Sequence, residues 1–265
     1  MPRVAVVGHI EWVDFIVVPR LPRPGDIEHA HAAFARAAGG GGVVAAVLAE
    51  LGAEVDFFCA LGHDAHGQAA AGELTARGIH LHVAWRNQPT RRAVTMLDDG
   101  GERTIVTMGE RLEPLGSDDL EWDRLAGAEG VYFTAGDRAA LQHARAARVL
   151  VASPRGRSAL EGGPELDAVV YSRADRDESH WARRLADRAR LEVETQGRAG
   201  GQWSGESDGR WEAVPPPGPL RDTYGAGDSF AAGFTFSLST GGSVAEAAAL
   251  GATCGALALT RPGAP

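Results

Sequence analysis

Short apolar runs recur along this chain, most of them closed by glycine and followed by a stretch with helical spacing. The first, residues 3–8, carries Val4-Ala5-Val6-Val7 and then Gly8, the pattern of a parallel strand covered on both faces. Residues 11–18 form a second extended segment. Pro19, Pro22 and Pro24-Gly25-Asp26 then bend the chain, which predicts a hairpin-like excursion from the main sheet. A helix is expected over 43–51, closed by Gly52, then a strand, then an amphipathic helix over 66–77 stopped by Gly78. Residues 92–97 and 102–107, divided by Asp98-Asp99-Gly100-Gly101, read as a β-hairpin.

From Gly130 onward strands and helices alternate. Strands are expected at 131–133, 149–151, 168–171 and 191–195, with helices near 138–147 and 178–190. Such alternation builds βαβ units around a parallel sheet, because right-handed crossovers place the helices on its faces. Residues 202–204 and 211–214 read as short edge strands, ended by Pro215-Pro216-Pro217. Two helices close the chain, one over 229–239 and one opened by the capping box Ser243-Val244-Ala245-Glu246.

Composition narrows the function classes. The 265 residues are 44% apolar and 23% charged, enough for one large α/β domain spanning 1–265 with a full core. A formal charge of −9 argues against a nucleic-acid surface. Cys59 and Cys254 both lie in apolar segments and read as buried, reduced thiols. No apolar run approaches the ~20 residues of a spanning helix, and a strand opens the chain where a signal peptide would stand. A cytoplasmic protein without membrane contact is the expectation.

The densest chemistry lies at Asp222-Thr223-Tyr224-Gly225-Ala226-Gly227-Asp228-Ser229-Phe230. Small residues at the start of a helix let backbone N–H groups converge on an anion, aided by the helix dipole. Asp228 beside such a cradle suits a base that takes a proton from an attacking hydroxyl. The alternative is a plain turn with Asp228 capping the helix. A second glycine cluster, 39–42, contains the dinucleotide pattern G-x-G-x-x-A at Gly40, Gly42 and Ala45. That fingerprint requires a strand directly before it. Residues 31–36 do not read as one, so an NAD-binding oxidoreductase is set aside. Arg91, Arg92 and Arg103 share the hairpin and either grip a substrate phosphate or form a solvated edge; the solvated edge is favoured.

Residues 222–230 resemble the C-terminal signature of the ribokinase-like (PfkB-type) carbohydrate kinases. Residues 38–67 resemble the N-terminal one: a diglycine before a helix, Leu51-Gly52-Ala53, a strand, then Gly62-His63-Asp64-Ala65-His66-Gly67. The resemblance implies a three-layer α/β/α fold with a mostly parallel central sheet and a small β lid from about 11–36 and 90–108. It implies transfer of the ATP γ-phosphate to a hydroxyl of a sugar or sugar-like molecule. By the same resemblance Gly225, Ala226 and Gly227 form an anion hole and Asp228 is the general base. Thr195, Gly197, Gly200, Asp222 and Thr223 line the nucleotide. Glu11, Asp14, Gly39, Gly40, Gly41, Val43 and Asp228 surround the acceptor. Asp222 either helps place a monovalent cation such as K⁺ or stabilises its turn by hydrogen bonds.

Three positions depart from the family pattern. Glu11 and Val13 stand where many relatives have an asparagine and an aspartate, and Asp14 would face the opposite side of a strand. Val43 replaces an asparagine after the diglycine, so the acceptor differs from plain ribose. The Asn-x-x-Glu element that organises Mg²⁺ aligns with Ser172-Arg173-Ala174-Asp175, which leaves Asp175 as an indirect Mg²⁺ partner. These departures keep open a catalytically weak sensor of small molecules or nucleotides on the same scaffold. An exposed lid edge would also allow a homodimer.

Overall fold

The computed structural model describes residues 1–100, 103–263 and 265; Gly101 and Glu102 of the expected hairpin, and Ala264 of the tail, lie outside the described residues. In chain order the strands and helices are β1 (Arg3–Val7), β2 (Glu11–Val18), β3 (Ala32–Ala38), α1 (Gly39–Glu50), β4 (Glu54–Gly62), α2 (Ala65–Ala76) and β5 (His80–Arg86). There follow β6 (Arg92–Asp98), β7 (Arg103–Met108), β8 (Gly130–Phe133), α3 (Arg138–Ala144), β9 (Val149–Ala152) and β10 (Ala168–Ser172). The chain continues through α4 (Arg176–Leu185), β11 (Leu191–Thr195), β12 (Gly201–Gly205), β13 (Gly209–Trp211), α5 (Ala226–Ser239) and α6 (Val244–Ala258).

Nine strands form the central sheet in the order β13-β12-β11-β10-β9-β8-β1-β4-β5. Pairing is parallel from β5 across to β11, and β12 and β13 add an antiparallel edge. The period-2 alternation of β1 splits its side chains between two cores. Val4 and Val6 pack with Val44 of α1, Phe230 of α5 and Ala247 of α6. Ala5 and Val7 pack with Phe58, Leu141 of α3 and Leu185 of α4. Helices thus cover both faces, the three-layer α/β/α arrangement. Cys59 and Cys254 are buried free thiols.

A separate four-stranded sheet, β3-β2-β6-β7, is the lid. Its β2–β3 hairpin is antiparallel, β2 and β6 run parallel, and β6–β7 is antiparallel. Strand β7 forms one edge and is exposed along its whole length, with Ile105, Val106 and Met108 open to solvent.

Four elements differ from the sequence reading. Residues 32–38 do form a strand, although alanine is a poor strand former; residue-by-residue pairing with β2 supplies what propensity lacks. The ground for setting aside the dinucleotide pattern is therefore corrected. A strand does precede the glycines, but it lies antiparallel in the lid rather than parallel in a βαβ unit, so the fingerprint's topology is still missing. Helix α1 begins at Gly39, four residues before the expected start, with all four glycines buried in its first turns. Helix α4 covers 176–185 instead of 178–190, because the Asp175 side chain accepts the N–H groups of Asp177 and Glu178 and fixes the helix start. Strand β5 escaped the sequence reading; it pairs in parallel with β4.

Candidate active site

The signature turn is held by its own buried side chains. Asp222 is fully buried, and its two oxygens accept N–H groups from Tyr224 and Gly263, each at 2.6 Å. Tyr224, buried edge-on against Phe15 with ring centroids 5.0 Å apart, accepts the Gly39 N–H on its hydroxyl at 3.3 Å. The Thr223 hydroxyl accepts from the Arg103 guanidinium of the lid strand β7. Gly225 then adopts φ +70°, a left-handed conformation that suits glycine, and turns the chain into α5. The N–H groups of Ala226, Gly227 and Asp228 donate to no acceptor among the described residues, as expected of a helix's first turn. The cap position belongs to Gly225 and carries no side-chain cap bond, so Asp228 is not the helix cap.

Asp228 faces the glycines that open α1. A methyl group on Gly40 would stand 3.1 Å from Asp228 Oδ1, 3.5 Å from His9 Cε1 and 3.6 Å from Thr134 Oγ1. Gly41 serves packing instead: a methyl there would meet the His9 carbonyl oxygen at 2.6 Å and Phe57 Cζ at 2.9 Å. Gly39, at φ +82°, approaches Glu11 and His9. Val43 lies in the core beneath. His9 and Thr134 follow the carboxyl ends of the neighbouring strands β1 and β8, the edge at which open parallel sheets bind ligands.

Charges around this cleft are crowded. Glu11 is buried, 3.1 Å from Arg91 Nε and 3.7 Å from His9 Nε2. Burial raises the Glu11 carboxyl, against the pull of Arg91, Arg111 and Arg155. Burial also raises the Asp228 carboxyl; Arg155 opposes this and Glu178 adds to it. A carboxylate raised in this way is a better proton acceptor than a solvated one. His9 is held neutral, its pKa lowered well below the usual value by burial and by Arg111, Arg155 and Arg91.

Asp14 is not brought to this site. It lies on the other face of β2 and pairs with Arg92 at 2.8 Å. The three arginines of the expected hairpin therefore divide: Arg92 pairs with Asp14 at the solvated side of the lid, Arg91 with buried Glu11, and Arg103 with the signature turn.

Farther along the same sheet edge, Thr195 ends β11 and donates its hydroxyl to the Tyr171 carbonyl at 3.2 Å. The turn after it is closed by the Gln196 N–H donating to the Gly200 carbonyl at 2.8 Å, and its Gly197 and Gly200 both have positive φ. Asp175 caps α4 and lies 3.4 Å from Arg155. Sequence reasoning missed Glu178, which is buried, accepts the Ser172 N–H at 2.8 Å and is paired with Arg155. Its signal was present, since Asp175 and Glu178 stand three apart at a helix start. Among the described residues no group of three or more His, Cys, Asp or Glu side chains is placed to hold a metal ion.

The pfkB family carbohydrate kinase model matches residues 1–152 and 165–265. An ATP-dependent ribose-1-phosphate kinase from Halopiger xanaduensis is 28% identical over 304 aligned positions, covering 100% of this chain and 94% of that protein. An acarbose 7(IV)-phosphotransferase from Actinoplanes sp. is 30% identical over 291, covering 98% and 92%. A ribokinase from Arabidopsis thaliana is 33% identical over 135 residues, 48% of this chain and 36% of that protein. The structure of Arabidopsis thaliana ribokinase with ribose and ATP superposes over 99% of this chain and 94% of its own, with a TM-score of 0.75 and 22% identity. The chain belongs to the pfkB family of carbohydrate kinases, phosphotransferases that use an alcohol group as acceptor.

Proposed function

We propose that this chain transfers the γ-phosphate of ATP to a hydroxyl of a sugar or sugar-like molecule, with Asp228 as general base. The observation that carries this reading is the pairing of a partly open Asp228 with the free N–H groups of 226–228 across from Gly40. The acceptor hydroxyl lies over Gly40 and gives its proton to Asp228. The amides of Gly225, Ala226 and Gly227 take up charge on the phosphoryl oxygens. The turn from Thr195 to Gly200, with Asp222 and Thr223 behind the signature loop, lines the nucleotide. Relatives named for ribose 1-phosphate and acarbose support an acceptor other than plain ribose, as does Glu11.

Glu178 faces the same cleft and raises the Asp228 carboxyl, while Arg155, paired with Glu178, lowers it. A donor set of this kind fits Mg²⁺ bound with ATP, which would neutralise phosphate charge. Glu178 and Asp175 are the side chains suited to hold it through water. With aspartate in place of the asparagine, they fill the Asn-x-x-Glu spacing better than the stretch from Ser172 to Asp175. Both oxygens of Asp222 accept N–H groups, a turn-stabilising role that stands beside the K⁺ alternative.

ADP release from Mg-ATP with a panel of sugars, sugar phosphates, sugar acids and nucleosides tests this function. Asp228→Asn is expected to bind ATP normally and to lose about 10²–10⁴-fold in kcat. Near-normal turnover in that variant would remove the base assignment, and ligand binding without ADP formation would favour a sensor.

A further inference from the structure

Away from Asp228, helix α4 overhangs the outer strands of the sheet with a polar face. Its buried stripe is Glu178, Ala182 and Leu185, which seats the helix over β10. Arg176, Ser179 and Arg183, spaced i, i+3 and i+7, share a different face. Strand alternation fixes what lies opposite. Ala168, Val170, Leu191 and Val193 join the core that contains Phe230 of α5. Tyr171 and Glu194, which are register partners, therefore point to the α4 side of the sheet, and Gln202, the partner of Glu194 on β12, points with them. Together with Arg173 these side chains line a groove of ≈ 650 Å³, a size that takes a small molecule. It lies on the opposite face of the sheet from α5.

Charge in this groove is unbalanced. Glu194 is already engaged: it accepts from Gln196 Nε2 at 2.7 Å and from the Tyr171 hydroxyl at 3.4 Å, and Arg173 lies 3.7 Å away. The side chains of Arg176 and Arg183 make neither a hydrogen bond nor an ion pair with any described residue. Arg184 on the same helix, by contrast, pairs with Glu161. A solvated helix face would carry its charges on a convex surface, whereas here two free guanidinium groups line one concavity in a chain of formal charge −9.

Guanidinium groups match phosphate oxygens through paired hydrogen bonds. Across from them, Glu194 and Gln202 offer acceptor oxygens and an amide, which suit hydroxyl groups. The lining contains no aliphatic side chain, so an apolar ligand body would bury little against it. We propose that this groove binds a phosphorylated sugar, its phosphate on Arg176 and Arg183 and its hydroxyls toward Glu194 and Gln202.

Isothermal titration calorimetry tests this with glucose 6-phosphate, fructose 6-phosphate, ribose 5-phosphate and inorganic phosphate, without ATP. At least one ester should bind wild type, with inorganic phosphate at least about threefold weaker. Arg176→Gln and Arg183→Gln should each weaken that ester at least about tenfold, and added salt should weaken it in wild type. Arg23→Gln removes the same charge from the bend between β2 and β3 and should change the affinity by less than about twofold. Gln202→Ala should weaken the ester and leave inorganic phosphate unchanged. Arg176, Arg183 and Gln202 are exposed, so these variants should fold as wild type does, and melting temperatures check that.

Ester binding that survives both arginine substitutions belongs to another site and overturns the proposal. Inorganic phosphate bound as tightly as every ester overturns it too, as does the absence of ester binding up to about 10 mM. Binding here needs no turnover at Asp228, so a silent kinase assay and a failed titration are separate results.

Discussion

Gly40 and Gly41 are neighbours in sequence and in the first turn of α1, yet adding one methyl group to each should have opposite consequences. At Gly40 the methyl meets side-chain atoms, with Asp228 Oδ1 its nearest neighbour at 3.1 Å. The backbone there has no positive φ, and exchanging glycine for alanine in a helix gains up to about 0.5–1 kcal/mol. The tight oxygen contact gives back part of that gain, so Gly40→Ala should stay within about 1 kcal/mol of wild-type stability. Catalysis should suffer heavily. The methyl crowds Asp228, the proposed base, and displacing an acceptor by about 1 Å costs roughly 10²-fold, or about 2.7 kcal/mol of barrier. At Gly41 the methyl would lie 2.6 Å from a backbone carbonyl oxygen and 2.9 Å from the Phe57 ring, neither of which can swing away. Overpacking of this kind costs about 1–3 kcal/mol and should lower the urea midpoint clearly. Urea unfolding monitored by tryptophan fluorescence and ADP release at saturating Mg-ATP measure the two effects. A Gly40→Ala enzyme within about threefold of wild-type kcat/KM, or a Gly41→Ala protein as stable as Gly40→Ala, would refute the division of labour.

Tyr224→Phe leaves the buried Gly39 N–H without its acceptor and should cost about 1–2 kcal/mol in urea unfolding; an unchanged midpoint would show that water replaces the hydroxyl. Arg103→Gln releases the lid from Thr223. Its stability should change by less than about 1 kcal/mol while KM for the acceptor rises, and a loss confined to kcat would contradict that. Burial opposes the Asp56 charge, but His82 and Arg124 outweigh it and hold the carboxyl down to about 2. The folded value lies below the unfolded one, so this stabilisation is full above roughly pH 4 and is lost as pH falls through about 2. Arg124 and Arg3 are about one-third exposed, which discounts the shift to about 1–2 kcal/mol. The stability gap between wild type and Asp56→Asn should therefore shrink steadily between about pH 4 and pH 2, whereas a pH-independent gap would argue that lost packing dominates.

Local chemistry told the sequence reader most where a residue's role is set by its immediate neighbours. Alternating apolar runs fixed the parallel strands, and the run of small residues from Gly225 to Gly227 announced a helix start with free N–H groups. The period of β2 turned Asp14 to the face opposite Glu11, but the resemblance still counted it with the acceptor site, where the structure does not bring it. What escaped depends on partners distant in the chain. Strand β3 is alanine-rich and exists because β2 lies beside it. His9 follows an ordinary apolar run, and nothing local says that its ring ends between Gly40 and Glu11. The register around residue 175 failed for a related reason. A carboxylate three residues past a strand looked like the sought group, while the helix start that carries Glu178 inward became visible only through the cap made by Asp175.

The same dependence on distant partners explains Tyr224. Three consecutive residues ahead of Gly225 each hold a different part of the molecule. Asp222 fastens the C-terminal tail through Gly263, Thr223 meets the lid through Arg103, and Tyr224 reaches the α1 glycines through the Gly39 N–H. A small side chain at 224 would leave the Gly39 amide buried without that partner. Asp228 sits four residues beyond the tyrosine, within the first turn of a helix whose start this tripeptide anchors. The position of Asp228 is thus set jointly by the lid, the tail and the glycine loop that opens α1. Substitutions at 222–224 should accordingly disturb turnover, and at Tyr224, which belongs to the core on one face of the nine-stranded sheet, they should lower stability as well.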